Sequence, residues 1–107
     1  MATVKGVFGQ LNPGAASLTA IYTVPALKNF TGRVIITNRS GATSFRVSIG
    51  VDGAADSLEQ YIAYDKDIAL RDTGSTVAFV AGSGDVIRVF ATLATLSFTV
   101  TGIEQDD

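Results

Sequence analysis

The stretch Thr43-Ser44-Phe45-Arg46-Val47-Ser48-Ile49-Gly50-Val51 decides the fold. Phe45, Val47, Ile49 and Val51 alternate with Ser44, Arg46, Ser48 and Gly50. Side chains of a β-strand point alternately to its two faces, so a period of two reads as a strand with one face in a core and one outside. Asp52-Gly53 ends the run with a turn signal.

Outward from this strand the same grammar repeats. Runs rich in β-branched and aromatic residues alternate with Gly, Asn, Asp and Ser clusters every ten residues or so, the spacing of a sandwich or barrel. Toward the N-terminus the reading places strands at Thr3 to Leu11, Leu18 to Val24 and Gly32 to Thr37. Toward the C-terminus it places them at Gln60 to Tyr64, Ser75 to Val80, Val86 to Ala91 and Leu96 to Ile103. Ala54 to Leu58 has room for one helical turn. The expected architecture is all-β: one two-sheet antiparallel β-sandwich, jelly-roll-like, with about eight strands over residues 1–107. The acidic tail Glu104-Gln105-Asp106-Asp107 is expected to fray.

Composition narrows the chemistry. Neither cysteine nor histidine occurs. That removes disulfides, thiol nucleophiles, the usual neutral-pH base and every His-containing triad. Eight Lys and Arg against ten Asp and Glu give a net charge of −2 with no basic block, so a groove that tracks nucleic-acid phosphates is not expected. No apolar run approaches the ~20 residues that a membrane helix needs, and no secretory leader is expected from Met1-Ala2-Thr3-Val4-Lys5-Gly6. With 47% hydrophobic and 17% charged residues, the chain fits either a well-filled core or extra surface buried on a partner.

Asp72-Thr73-Gly74-Ser75 is the one catalytic-looking string. Retroviral-type aspartic proteases carry Asp-Thr-Gly, but an apolar residue usually precedes it where Arg71 stands here, and no glycine-rich flap follows. A turn between the fifth and sixth strands accounts for it, and no catalytic residue is expected. The carboxylates of Asp52 to Asp56 and of Asp65 and Asp67 read as solvated turn residues rather than a calcium loop. Gly82-Ser83-Gly84 lacks the lysine of a phosphate loop, and Asn29-Phe30-Thr31 and Asn38-Arg39-Ser40 read as chance glycosylation patterns. No metal or cofactor is expected.

Several stretches together resemble a family of small virion proteins of tailed bacteriophages. They are Gly9-Gln10-Leu11-Asn12-Pro13, Leu18 to Ala26 with Tyr22-Thr23-Val24-Pro25-Ala26, Ile36 to Ser40, Phe45-Arg46-Val47, and Tyr61 to Asp65. Ala81 to Ala91 with Gly84-Asp85-Val86-Ile87-Arg88-Val89, and Val100 to Glu104, complete the set. The resemblance implies a β-sandwich that works by assembly, as a head decoration (cement), neck or tail component. It implies a symmetric homo-oligomer such as a trimer, bound to the major capsid protein or other virion proteins. It also implies synthesis in the bacterial cytoplasm and final residence in the virion. It carries no catalytic residues across. The rival reading is a carbohydrate-binding sandwich, although Trp is absent and Tyr22, Tyr61 and Tyr64 lie in or beside strands.

The candidate assembly interface is Val4, Val7, Phe8, Leu11, Arg33, Arg46 and Arg88. Residues 1–12 are read as an assembly arm or edge strand. Val7 and Phe8 are adjacent, so in a straight strand one enters the core while the other faces outward. Gly6 and Gly9 flank them and would permit a bulge. A terminal strand that exposes apolar groups invites aggregation unless something covers it. Outward arginines such as Arg46 suit ion pairs with a partner or simply keep the sheet soluble.

Overall fold

The computed structural model describes residues 3–106. The strands, numbered along the chain, are β1 (Thr3–Leu11), β2 (Thr19–Thr23), β3 (Lys28–Asn38), β4 (Thr43–Gly50), β5 (Tyr61–Ile68), β6 (Thr73–Ser75), β7 (Phe79–Ala81), β8 (Val86–Ala91) and β9 (Leu96–Asp106). Sheet A runs β1-β9-β3-β6, with β7 also paired to β3, and sheet B runs β2-β8-β4-β5. All pairings are antiparallel. Counted as one interrupted strand, β6 and β7 leave eight strands in the orders 1-8-3-6 and 2-7-4-5. That is jelly-roll connectivity, a double sheet used by capsid and lectin domains alike.

The core lies where the alternation puts it. Phe45, Val47, Ile87, Val89, Phe98 and Val100 are all buried, and Ile49 packs on them from a half-buried position. Phe45 of sheet B meets Phe98 of sheet A edge-on, with centroids 6.4 Å apart. A second aromatic group seals one flank: Phe8, Tyr22, Phe30 and Phe79 form a chain with centroid spacings of 5.1–5.9 Å. Edge-on and tilted contacts of this kind add to the area that the rings bury.

Several elements depart from the sequence reading. The expected sixth strand, Ser75 to Val80, is two short strands with Thr76 between them. The Thr76 N–H donates to the Val34 carbonyl at 2.9 Å, and its hydroxyl accepts the Val34 N–H at 3.0 Å. The side-chain oxygen thus takes the place of a ladder carbonyl, and pairing to β3 continues across the break. β3 starts at Lys28, four residues before the expected Gly32. Gly6, Gly102 and Gly32 sit side by side across β1, β9 and β3. A Cβ at Gly32 would strike the Thr101 carbonyl and come within 2.6 Å of the Phe30 ring. Glycine there admits the ring and lets the strand run on.

The tail is ordered strand, not a frayed end: Glu104 and Gln105 pair with β1 and β3, and Asp106 pairs with Lys28 of β3. Polar anchors hold it. The Tyr22 phenol donates to Glu104, and the Lys28 ammonium is ion-paired with Asp106. The last acidic residue, Asp107, lies outside the described residues, as do Met1 and Ala2. β5 runs four residues past the expected Tyr64 to the buried Ile68. Val51 leaves the ladder for a short 3-10 turn over Val51–Gly53, and a second follows at Leu58–Gln60. Ser48, expected on the wet face, is buried beside Arg88, which reaches over to the Ala54 carbonyl.

Candidate interaction surface

The seven interface candidates separate into three groups. Val7 and Arg33 share one cross-strand row through Thr101, on the outward side of sheet A. Phe8 and Leu11 turn inward and pack against the core. Val4 lies on the inward side by register, yet 52% of its surface is exposed. The expected split between Val7 and Phe8 is realised by a β-bulge: Val7 pairs with Thr101 and Gly9 with Val100, leaving Phe8 as the extra residue. Val7 is 58% exposed. Gly9 faces inward against β2, where a Cβ would come within 2.6 Å of the Ile21 carbonyl.

β1 is therefore an edge strand integral to the sandwich, not a detached arm. It pairs with β9 along its length, and its other edge has no strand partner among the described residues. Because Phe8 belongs to the aromatic chain, removing residues 1–10 would damage the fold itself. The stretch thus serves the fold as well as presenting an edge.

Arg46 and Arg88 lie on the outward side of sheet B, and both are engaged. Arg46 forms a forked pair with Asp65, with Nε 2.6 Å from Oδ1 and Nη2 3.3 Å from Oδ2. Its guanidinium stacks over Tyr64 at 4.3 Å and Phe90 at 4.6 Å, and Tyr61 meets Tyr64 edge-on at 5.0 Å. The register that sets Arg46 opposite Phe90 builds this stack, and the left-handed backbone at Asp65 (φ 49°) falls where β5 slips register against β4, between the Phe45–Lys66 and Val47–Ala63 pairs. The Asp65 carboxylate raises the Arg46 pKa, mainly through the hydrogen bond. Arg88 Nη1 donates to the Ala54 carbonyl at 2.9 Å, and a Cβ at Gly50 would come within 2.7 Å of that nitrogen. Arg33 differs from both. Its exposed side chain has no ion pair or hydrogen bond among the described residues. Of the three, it is the arginine available to a partner.

The remaining motifs resolve locally. Only Asp72 belongs to the turn, while Thr73–Ser75 is β6 itself. The Asp72 carboxylate accepts the Thr73 N–H at 2.9 Å, and its carbonyl accepts the Asn38 N–H. Asp85 accepts the N–H groups of Gly82 and Asp52, closing the Gly82-Ser83-Gly84 turn on itself. Asn38 is buried and fully engaged: its amide donates to the Gly41 and Ala69 carbonyls, and its oxygen accepts from Ser40 and Thr95. A glycan could not be attached there without unmaking that network. An open groove of about 830 Å³ is lined by Thr43, Asp67, Asp72 and Leu93 among others. Among the described residues no group of three or more His, Cys, Asp or Glu side chains is placed to hold a metal ion, and no helix is long and apolar enough to cross a membrane.

Sequence reasoning missed the aromatic stack on Arg46, because Phe90 reaches it only through the β4–β8 register. Comparison with protein-family models, with curated proteins and with solved structures finds no match to this chain.

Proposed function

We propose that this chain is a non-enzymatic structural protein of a tailed-phage virion, a head decoration or cement protein that binds and stabilises the capsid lattice. The observation that carries the assembly part is β1: a nine-residue edge strand whose outer edge has no strand partner among the described residues, with exposed valines, Val4 and Val7, on its two sides. An open edge with apolar groups beside it is what strand addition by a partner uses. The phage part rests on the resemblance over Gly9 to Glu104, and jelly-roll topology is compatible with it. A neck, tail or fibre-associated location uses the same surface.

Cosedimentation tests the reading. The purified chain is mixed with heads and, separately, tails of tailed phages. Saturable cosedimentation with heads that raises their resistance to heat or chelator is expected. Binding to tails alone moves the protein to the neck or tail, and no binding to any particle removes the virion reading.

A second reading, a carbohydrate-binding module, is favoured by Tyr64, which is 50% exposed and held rigid by Arg46 and Tyr61. It requires measurable oligosaccharide affinity that Tyr64→Ala abolishes.

A further inference from the structure

The outward face of sheet A carries cations but no acid. Every outward position of sheet A, row by row from Thr3·Gln105·Asn29 to Ser97·Thr37·Thr73, lacks Asp and Glu. The two charged residues on that face are Lys5 and Arg33, and neither has a counter-ion among the described residues. Between and beside them stand aliphatic groups, with Val7 58% and Val80 71% exposed and Ile35 and Ile103 half-buried. The complement sits elsewhere in the same chain. The excursion from Val51 to Gln60 beyond β4 carries Asp52, Asp56 and Glu59 and no cation. Its aliphatic members, Val51 and Leu58, are 67% and 78% exposed.

This excursion is also pre-shaped. Asp85 accepts the Asp52 N–H at 2.9 Å, Arg88 holds the Ala54 carbonyl, and Gln60 Nε2 donates to the Ala55 carbonyl at 2.8 Å. A segment already fixed loses little conformational freedom on docking.

We propose that copies of this chain join head to tail, the acidic 51–60 excursion of one copy docking on the acid-free outward face of sheet A of the next. The proposal rests on the assembly reading above and names a second copy as the occupant of that face. A face-to-face pairing of sheet A with itself would set Lys5 and Arg33 against the same cations, which like-charge juxtaposition disfavours. Two different patches in contact make a heterologous interface, which closes into a ring or continues as a filament.

The test is sedimentation of the full chain up to about 1 mM at low and at high salt, the millimolar limit marking the weakest association worth naming. The wild type is expected to associate, less so in high salt. Lys5→Glu/Arg33→Glu and, separately, Asp56→Lys/Glu59→Lys should each associate at least about tenfold more weakly. An equimolar mixture of the two variants should regain association, because each supplies the surface that the other has reversed. Asp56→Asn/Glu59→Gln, which removes charge without adding bulk, should also weaken it. Far-UV circular dichroism and melting temperature check that every variant folds. A wild type that stays monomeric at the highest concentration overturns the proposal. So does an Asp56→Lys/Glu59→Lys variant that associates like the wild type, because a face-to-face pair would not feel it. Failure to bind phage particles would leave these results untouched and would instead remove the virion reading.

Discussion

The phenol of Tyr22 donates a hydrogen bond to the carboxylate of Glu104 at 2.5 Å, joining β2 of sheet B to β9 of sheet A. Burial first, and then that hydrogen bond and the nearby negative charge, push the Tyr22 phenol well above the ordinary tyrosine range. A group whose pKa is raised on folding contributes stability below its unfolded value and loses it as pH climbs toward the folded one. The unfolded value is about 10. Stability is therefore expected to fall as pH rises above about 10, and Tyr22 should stay protonated until the chain opens. Absorbance at the phenolate band, followed with circular dichroism through an alkaline titration, checks this. In Tyr22→Phe the phenolate step that coincides with unfolding should shrink, leaving the part contributed by Tyr61, which burial also raises.

Phe98 is fully buried between the sheets against Phe45. Phe98→Ala removes a whole ring from a packed interior and should cost about 3–5 kcal/mol. Chemical denaturation with an unchanged slope would report this as a loss of stability rather than a change in the unfolded state.

Gly32 and Gly74 make a matched pair of tests. A methyl at Gly32 meets the Thr101 carbonyl, the Phe30 ring and the Gly102 backbone, while one at Gly74 meets nothing within 4 Å. Gly32→Ala should destabilise by about 1–3 kcal/mol or more through overpacking. Gly74→Ala should be neutral to slightly stabilising. Equal melting temperatures for the two variants would show that the glycine row is not under the constraint described.

The Arg46 stack should behave as a brace of sheet B. Its ion pair is partly exposed, which limits its worth, but the two ring faces add to it. Arg46→Ala is expected to cost about 1–2 kcal/mol. Arg46→Lys should recover only part of that, because an ammonium lacks the planar fork and stacks less well.

Truncation separates the two roles of β1. Thr3, Val4 and Lys5 are exposed, whereas Phe8 belongs to the core-side aromatic chain. Removing residues 1–5 should leave melting nearly unchanged and weaken assembly. Removing residues 1–10 should lower the melting temperature sharply. If the shorter deletion assembles as the full chain does, the edge of β1 is not the contact.

The two-sheet fold was legible because its signals are local. The alternation from Phe45 to Ile49 and the turn at Asp52-Gly53 need no knowledge of what lies opposite. The same holds for Val7 and Phe8, where two adjacent apolar residues flanked by glycines announced a bulge. What escaped depends on partners distant in sequence. Gly32 reads as a strand end until Phe30 and Gly102 are beside it. Thr76 looks like one more strand residue until its hydroxyl takes the Val34 N–H. Charge patterning fared likewise: Glu104 and Asp106 look like a solvated tail in a linear reading, yet Tyr22 and Lys28 hold them in place. Among the three arginines nothing in the sequence separates Arg33 from Arg46 and Arg88, because only the fold reveals which of them already have partners.

The break between β6 and β7 has a consequence for growth. Opposite β1, sheet A ends in two three-residue pieces, too short to template a further strand. In sheet B, β2 has five residues and a register shift, and β5 is irregular and carries Asp65, Lys66 and Asp67. A unit that polymerises through its sheet edges needs two joinable ends, and among the described residues this one has a single long edge, that of β1, itself bulged at Phe8. When β1 meets another strand, that edge is consumed, so the molecule acts along the hydrogen-bonding direction as a chain terminator, and fibril growth by edge addition stops at the first contact.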